Sequence, residues 1–425
     1  MRFLLAALPS VLWLLADICE AKPLKDFEFG TRDAQDADID TLNETLWRRV
    51  RVPGGTGSNA PPRVDQIFLF GPSNMAGSCS GRKDGLQDWL DDTRRVHDAV
   101  ERLYAMVTKP SVSKLWETFF GIFMHINPVT HQFEVHPDSR DRWNIIGDHI
   151  ARITKFLDGN GLQEPVVAGE VPRIFCSPDA GQLVGWDSIL KDENGNEVER
   201  GTDPVTGEKL YVSLRQAYPG RVGQNAFWMS AFNGYWFTGG TGTSLCPEKG
   251  RQAATGRFDV PPLRGLNVKL AQINRGIIIC PKAFEVPVGK PHGQPSLTEA
   301  VGGDSYPKGD GSTEEMLDYL VPRSMTLYHE IVHVTDYKRQ PLDPDVYPLG
   351  HILKMIFSSD SRYKNAVPHN PETYVHFGLA AYVYLNPPQG KDTIFVTMVL
   401  LKLMPAFVNM RMRTQFVHRH QQIAV

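Results

Sequence analysis

The chain has 425 residues, which allows one large domain with decorations or two modest ones. Hydrophobic residues make up 41% and charged residues 22%, as in an ordinary globular chain with a real core. A formal net charge of −3 offers no electrostatic footprint for nucleic acid and argues against partners of that kind.

From the N-terminus, Arg2 precedes the apolar runs Phe3–Leu8 and Val11–Ala16, and Cys19-Glu20-Ala21 offers the small residues of a cleavage site. Residues 1–21 are therefore expected to be a secretory signal; Pro9 and Asp17 leave too short a run for a membrane anchor. Residues 22–63 are polar and end in a Gly/Pro cluster, the composition of a linker or pro-segment. This stretch also holds an acceptor sequon, Asn43-Glu44-Thr45. Removal of the signal leaves Cys79, Cys176, Cys246 and Cys280, expected to form two disulfides in one of three connectivities.

The apolar run Ile67–Phe70 reads as a short strand or a buried run. Apolar residues recur at helical spacing from Leu86 to Met106 and again from Trp143 to Leu157, and both segments read as plain core helices. Residues 165–285 alternate β-formers with turn signals and predict short strands and hairpins, with Ile277–Cys280 as a buried strand. Asp192 and Asn194 resemble the start of a calcium loop, but the remaining ligand pattern is missing. Ser312 and Glu315 form a potential capping box, and Pro322 restarts the chain before the next helix.

That helix carries His329-Glu330-Ile331-Val332-His333 in an apolar frame free of Gly and Pro. Histidines at i and i+4 share a helix face, so His329 and His333 can bind one Zn2+. The neighbouring Glu330 can then take a proton from a zinc-bound water, as peptide hydrolysis requires. A catalytic zinc takes three protein ligands, and the candidates for the third are Asp343, Asp345 and Glu372. Pro368–Tyr384 reads as a second helix, with Asn370 as N-cap and Pro371 as first residue. The apolar stretch after residue 390 is broken by Lys402 and Pro405 and does not make a membrane span.

Four separated features resemble the deuterolysin-type, or aspzincin, metallopeptidases and their secreted fungal relatives. They are Trp116–Gly121, the strand ending Ile279-Cys280-Pro281, the HExxH helix, and Asn370-Pro371-Glu372-Thr373-Tyr374. The resemblance implies an aspartate as third ligand and Tyr347 as the group that stabilises the oxyanion. The ligand position three residues before Tyr347 is Pro344, with Asp343 and Asp345 on either side; a one-residue shift restores a ligand at either, with Asp345 narrowly preferred, and Glu372 would serve in a gluzincin-type site.

The expected fold is α+β, a zincin-like catalytic domain over residues 64–390 with a mixed β-sheet, followed by a tail, 391–425, of no assigned role. The expected function is a secreted, monomeric zinc metalloendopeptidase acting on protein or peptide substrates, without stable membrane insertion. Val375 replaces an acidic residue of the lysine-selecting relatives, so strict lysine specificity is not expected. The competing class is a secreted binding protein on a decayed peptidase scaffold.

Overall fold

The computed structural model describes residues 60–163, 169–239, 242–246, 252–256, 276–285, 296–301, 317, 320–336, 349–356, 358 and 360–387. The expected signal at residues 1–21, most of the 22–63 stretch, the expected Ser312–Glu315 capping box and residues 391–425 lie outside the described residues. The described helices and strands all belong to one compact unit, Pro61–Val425.

Six helices among the described residues build the main core. In α1, Lys83–Ala105, the residues Leu86, Leu90, Val96, Val100 and Leu103 form one buried stripe. Helix α2, Pro110–Phe120, opens on a proline, whose missing N–H is harmless at that position. It ends at Gly121, which adopts the left-handed conformation at φ 63° and donates to Glu117 O. Helix α3, Pro137–Leu157, buries Ile146, His149, Ile150, Ile153 and Phe156 on one side. Helices α4, Met325–Thr335, and α5, Leu349–Ile356, follow later in the chain.

Helix α6, Pro371–Leu385, is buried on nearly all sides and packs against α1, α2 and α4. Its N-cap is Asn370, as expected, but the Asn370 amide donates to Thr373 Oγ1 instead of capping a backbone N–H with its oxygen. Trp116 is the aromatic hub. Its ring centroid lies 4.1 Å from Phe377 and 5.0 Å from Trp143, and its Nε1 donates to Leu103 O at 3.1 Å. The hydrogen bond satisfies the indole's polar atom, so the whole ring can be buried at no polar penalty.

Beside the helices lies a four-stranded sheet in the order β1 (Leu69–Phe70), β2 (Arg173–Phe175), β7 (Gly276–Ile279), β6 (Ala253–Gly256). β1, β2 and β7 are parallel, and β6 closes the edge antiparallel to β7. Central β7 is buried along its length, hence its unbroken run of isoleucines. The expected strand at Ile67–Phe70 is shorter than its apolar run. Val64–Ile67 forms a helical turn capped by Gln66 on Arg63 N, and a strand begins only at Leu69. Four apolar residues fit either structure, and here the first of them, Ile67, is taken up by the turn that Gln66 caps.

A second, smaller core lies under the antiparallel sheet β3 (Gln182–Val184), β4 (Asn225–Met229), β5 (Gly234–Thr238). There Asp192 Oδ1 accepts from the amides of Asn194 and Asn196, so the carboxylate that begins the apparent calcium loop closes a turn instead. The disulfides are Cys79–Cys176 and Cys246–Cys280, anchored at the ends of β2 and β7. Among the described residues no helix is long and apolar enough to cross a membrane.

The fold is mixed α/β. The expected α+β zincin-like catalytic domain, built around an HExxH active-site helix, is corrected: the side chains that converge closely enough to share an ion come from three separate elements and include neither histidine of that helix.

Candidate metal centre

Helix α4 sets the HExxH residues as the i, i+4 spacing requires. The rings of His329 and His333 stand 4.9 Å apart, centroid to centroid. His329 and Glu330 are buried, and His333 is half-buried. His329 Nδ1 donates to Glu372 Oε2 at 2.8 Å, and Glu372 Oε1 lies 3.5 Å from His376 Nε2 one turn further along α6. Glu372, the rival third ligand, is therefore brought to His329, on its Nδ1 side. Glu330 Oε2 accepts from Thr255 Oγ1 at 2.5 Å, which ties α4 to β6. Asp343, Asp345 and Tyr347 lie outside the described residues.

A different group converges closely enough to share an ion. His149 of α3, Asp336 at the C-cap of α4 and His369 in the turn before α6 each offer a ligand atom within 4.8 Å of the others. His369 Nδ1 donates to Asp336 Oδ2 at 2.9 Å. His149 Nε2 stands 3.4 Å from Asp336 Oδ1, long for a hydrogen bond, and among the described residues this buried nitrogen has no closer partner. All three residues are at most 6% exposed. Tyr374 braces the group: its ring stacks beside His149 at 5.9 Å, and its hydroxyl donates to Pro368 O at 2.8 Å, fixing the turn that carries His369.

Electrostatics puts these donors in the form a metal needs. Burial alone would raise the Asp336 carboxyl, but the His369 hydrogen bond and the two imidazoles flanking it outweigh burial and hold the group far below the usual carboxylate range. Burial pushes His149 down, against the pull of Asp336, so its ring is neutral. An ionised carboxylate with a neutral imidazole is a deprotonated ligand pair.

The expected hydrolytic zinc centre, with Glu330 as general base, is corrected here. A hydrolytic zinc keeps an open coordination position that a substrate can reach. The converging His–Asp–His group is sealed in the core, its carboxylate is flanked by two imidazoles, and Glu330 is bonded to Thr255 rather than belonging to the group. These features fit a structural site. Sequence reasoning missed all three members. His149 was hidden in an otherwise aliphatic stripe, and the one available signal was a histidine on the buried phase of that helix.

No protein-family model matches the chain. The deuterolysin-type resemblance is therefore corrected: short motifs carried it, and no family model supports it. Among curated proteins, the non-secreted LysM effector LysM17 of Penicillium expansum is 38% identical over 134 residues. That match covers 30% of this chain and 17% of the relative, so the chain spans about a sixth of that protein's length. No solved structure matches.

Proposed function

We propose that this protein is an exported, non-hydrolytic binding protein in which His149, Asp336 and His369 hold one divalent transition metal as a structural clasp. The observation that carries this reading is the Asp336 carboxylate buried between two imidazoles that come from separate elements. Two nitrogens and one oxygen suit Zn2+ among the common ions. The bound ion would join α3, the end of α4 and the start of α6, and would neutralise a buried negative charge. The partial likeness to a protein named an effector, rather than a hydrolase, points the same way. That relative is named non-secreted, whereas two disulfides in this chain favour an oxidising compartment.

The test is metal content by inductively coupled plasma mass spectrometry, alongside incubation with denatured protein substrate. The expected result is one equivalent of metal in the wild type, loss of it in Asp336→Ala, and no cleavage. A metal-free wild type, or turnover that follows the metal, would sink the reading. A second ion on His329 and His333, with Asp345 as a further ligand, is a separate proposal supported by the close approach of the two rings. It requires a second equivalent that His333→Ala removes and Asp336→Ala leaves in place.

A further inference from the structure

The two disulfides differ in what a reagent can reach. Cys79, Cys176 and Cys280 are at most 7% exposed, whereas Cys246 is only half-buried. The Cys79–Cys176 bond is thus enclosed at both ends, and the Cys246–Cys280 bond has one end that solvent reaches. A thiolate must reach one sulfur of a disulfide to break it, so access decides which bond reacts first.

The half-open bond also closes over an edge strand. Its span of 34 residues contains β6, whose one strand neighbour among the described residues is β7. Cys280 directly follows β7, and its N–H donates at 2.7 Å to the carbonyl of Gln252, directly ahead of β6. The bond therefore stands at one end of the β6–β7 ladder, which pairs only four residues with four. Ala253, Ala254 and Thr255 are half-buried, so little apolar burial holds the strand. Two side chains from this stretch reach α4. Gln252 Oε1 accepts from Thr326 Oγ1 at 2.8 Å, and Thr255 Oγ1 donates to Glu330 Oε2 at 2.5 Å.

We propose that Cys246–Cys280 is a redox latch: a thiol reductant opens it ahead of Cys79–Cys176, and its opening frees β6 from β7 and α4. The reductant's thiolate attacks Cys246 Sγ and forms a mixed disulfide there. The electron pair of the broken S–S bond leaves on Cys280 Sγ, which takes up a proton. A second reductant thiolate then attacks the reductant's sulfur in the mixed disulfide, releasing Cys246 Sγ, which is protonated in turn, and the reductant departs as its own disulfide. Two electrons and two protons pass from two thiols to the protein, and an oxidising compartment reverses the exchange.

Release follows from chain entropy. With the bond closed, an unpaired β6 stays tethered beside β7 and re-pairs at little entropic cost. With it open, that constraint is gone, and for a span of this length the loss shifts pairing by on the order of a hundredfold. Detachment removes the Gln252 and Thr255 ties together and opens the α4 face that carries Thr326 and Glu330. A chain folded in an oxidising compartment would thus open this face on meeting a reducing one, while Cys79–Cys176 still holds β2.

The experiment treats the folded full chain with rising dithiothreitol, alkylates free thiols, maps them by mass spectrometry and follows amide hydrogen exchange in parallel. Cys246 and Cys280 should be alkylated at least about tenfold faster than Cys79 and Cys176. Exchange over residues 252–256 should then quicken by on the order of a hundredfold, with residues 173–175 of β2 unchanged. A variant carrying Cys246→Ser and Cys280→Ser should show the same fast exchange without reductant. Where that variant folds poorly, the reduced wild type carries the test by itself. Reduction of Cys79–Cys176 first or at the same rate, or an opened Cys246–Cys280 bond with unchanged exchange in β6, would overturn the proposal.

Discussion

Asp336 and Glu372 each take a histidine from the other's element. Asp336, at the end of α4, accepts from His369 just ahead of α6 at 2.9 Å, and Glu372, in the first turn of α6, accepts from His329 of α4 at 2.8 Å. The two bonds cross the same seam in opposite directions and so fix where α4 lies against α6. Glu372 gains further from its place at a helix N-terminus, where negative charge is favoured.

Asp336→Ala should abolish the metal binding proposed above and lower folding stability by about 3–5 kcal/mol, because it strands two buried imidazoles. Urea denaturation of chelator-treated protein separates the polar contribution from the metal's. A loss below about 1 kcal/mol in the chelated state would mean that the Asp336 bonds matter little without an ion.

Trp116→Ala should cost about 3–5 kcal/mol. The substitution opens a void against Phe377 and Trp143 and leaves Leu103 O without the indole donor. Near-ultraviolet circular dichroism should flatten along with the stability loss, and an unchanged denaturation midpoint would contradict this packing.

Gly378→Ala tests how closely α6 approaches α1. Alanine in a helix interior ordinarily gains about 1 kcal/mol over glycine. Here a Cβ would overlap Val96 Cγ1, and Val96 is fully buried and stiff at χ1. Overpacking of about 1–3 kcal/mol outweighs the propensity gain, so the melting temperature should fall. A stabilised variant would refute the close contact.

Removing a disulfide should be felt according to the loop it closes. Cys79–Cys176 spans 97 residues and Cys246–Cys280 spans 34. Replacing the first pair with serine should cost about 4–5 kcal/mol and the second about 3–4 kcal/mol. Denaturant midpoints of the two variants should rank in that order.

Helices α1, α3, α4 and α6 were legible in the sequence, whereas α2 and α5 were not predicted. The apolar spacing and terminal signals of the legible four, such as Pro371 opening α6, are local properties. The i, i+4 geometry of His329 and His333 was legible for the same reason. The centre at Asp336 was not, since its members meet only once α3, α4 and α6 are packed, and no spacing in the chain records that meeting. Motif logic extended the HExxH helix to a hydrolytic site. Burial and carboxylate–imidazole pairing point elsewhere, and both are tertiary facts.

The helical core is drawn from both ends of its unit: α1 to α3 come early, and α4 to α6 only after the β-rich stretch. During synthesis Trp116 is made roughly 260 residues before Phe377, the ring it packs against. At about 5–20 residues per second, the nascent first half waits on the order of tens of seconds with an aromatic face uncovered. Translation halted short of α4 would leave that face exposed and prone to aggregate, so a holding chaperone has its natural point of action on the early helices.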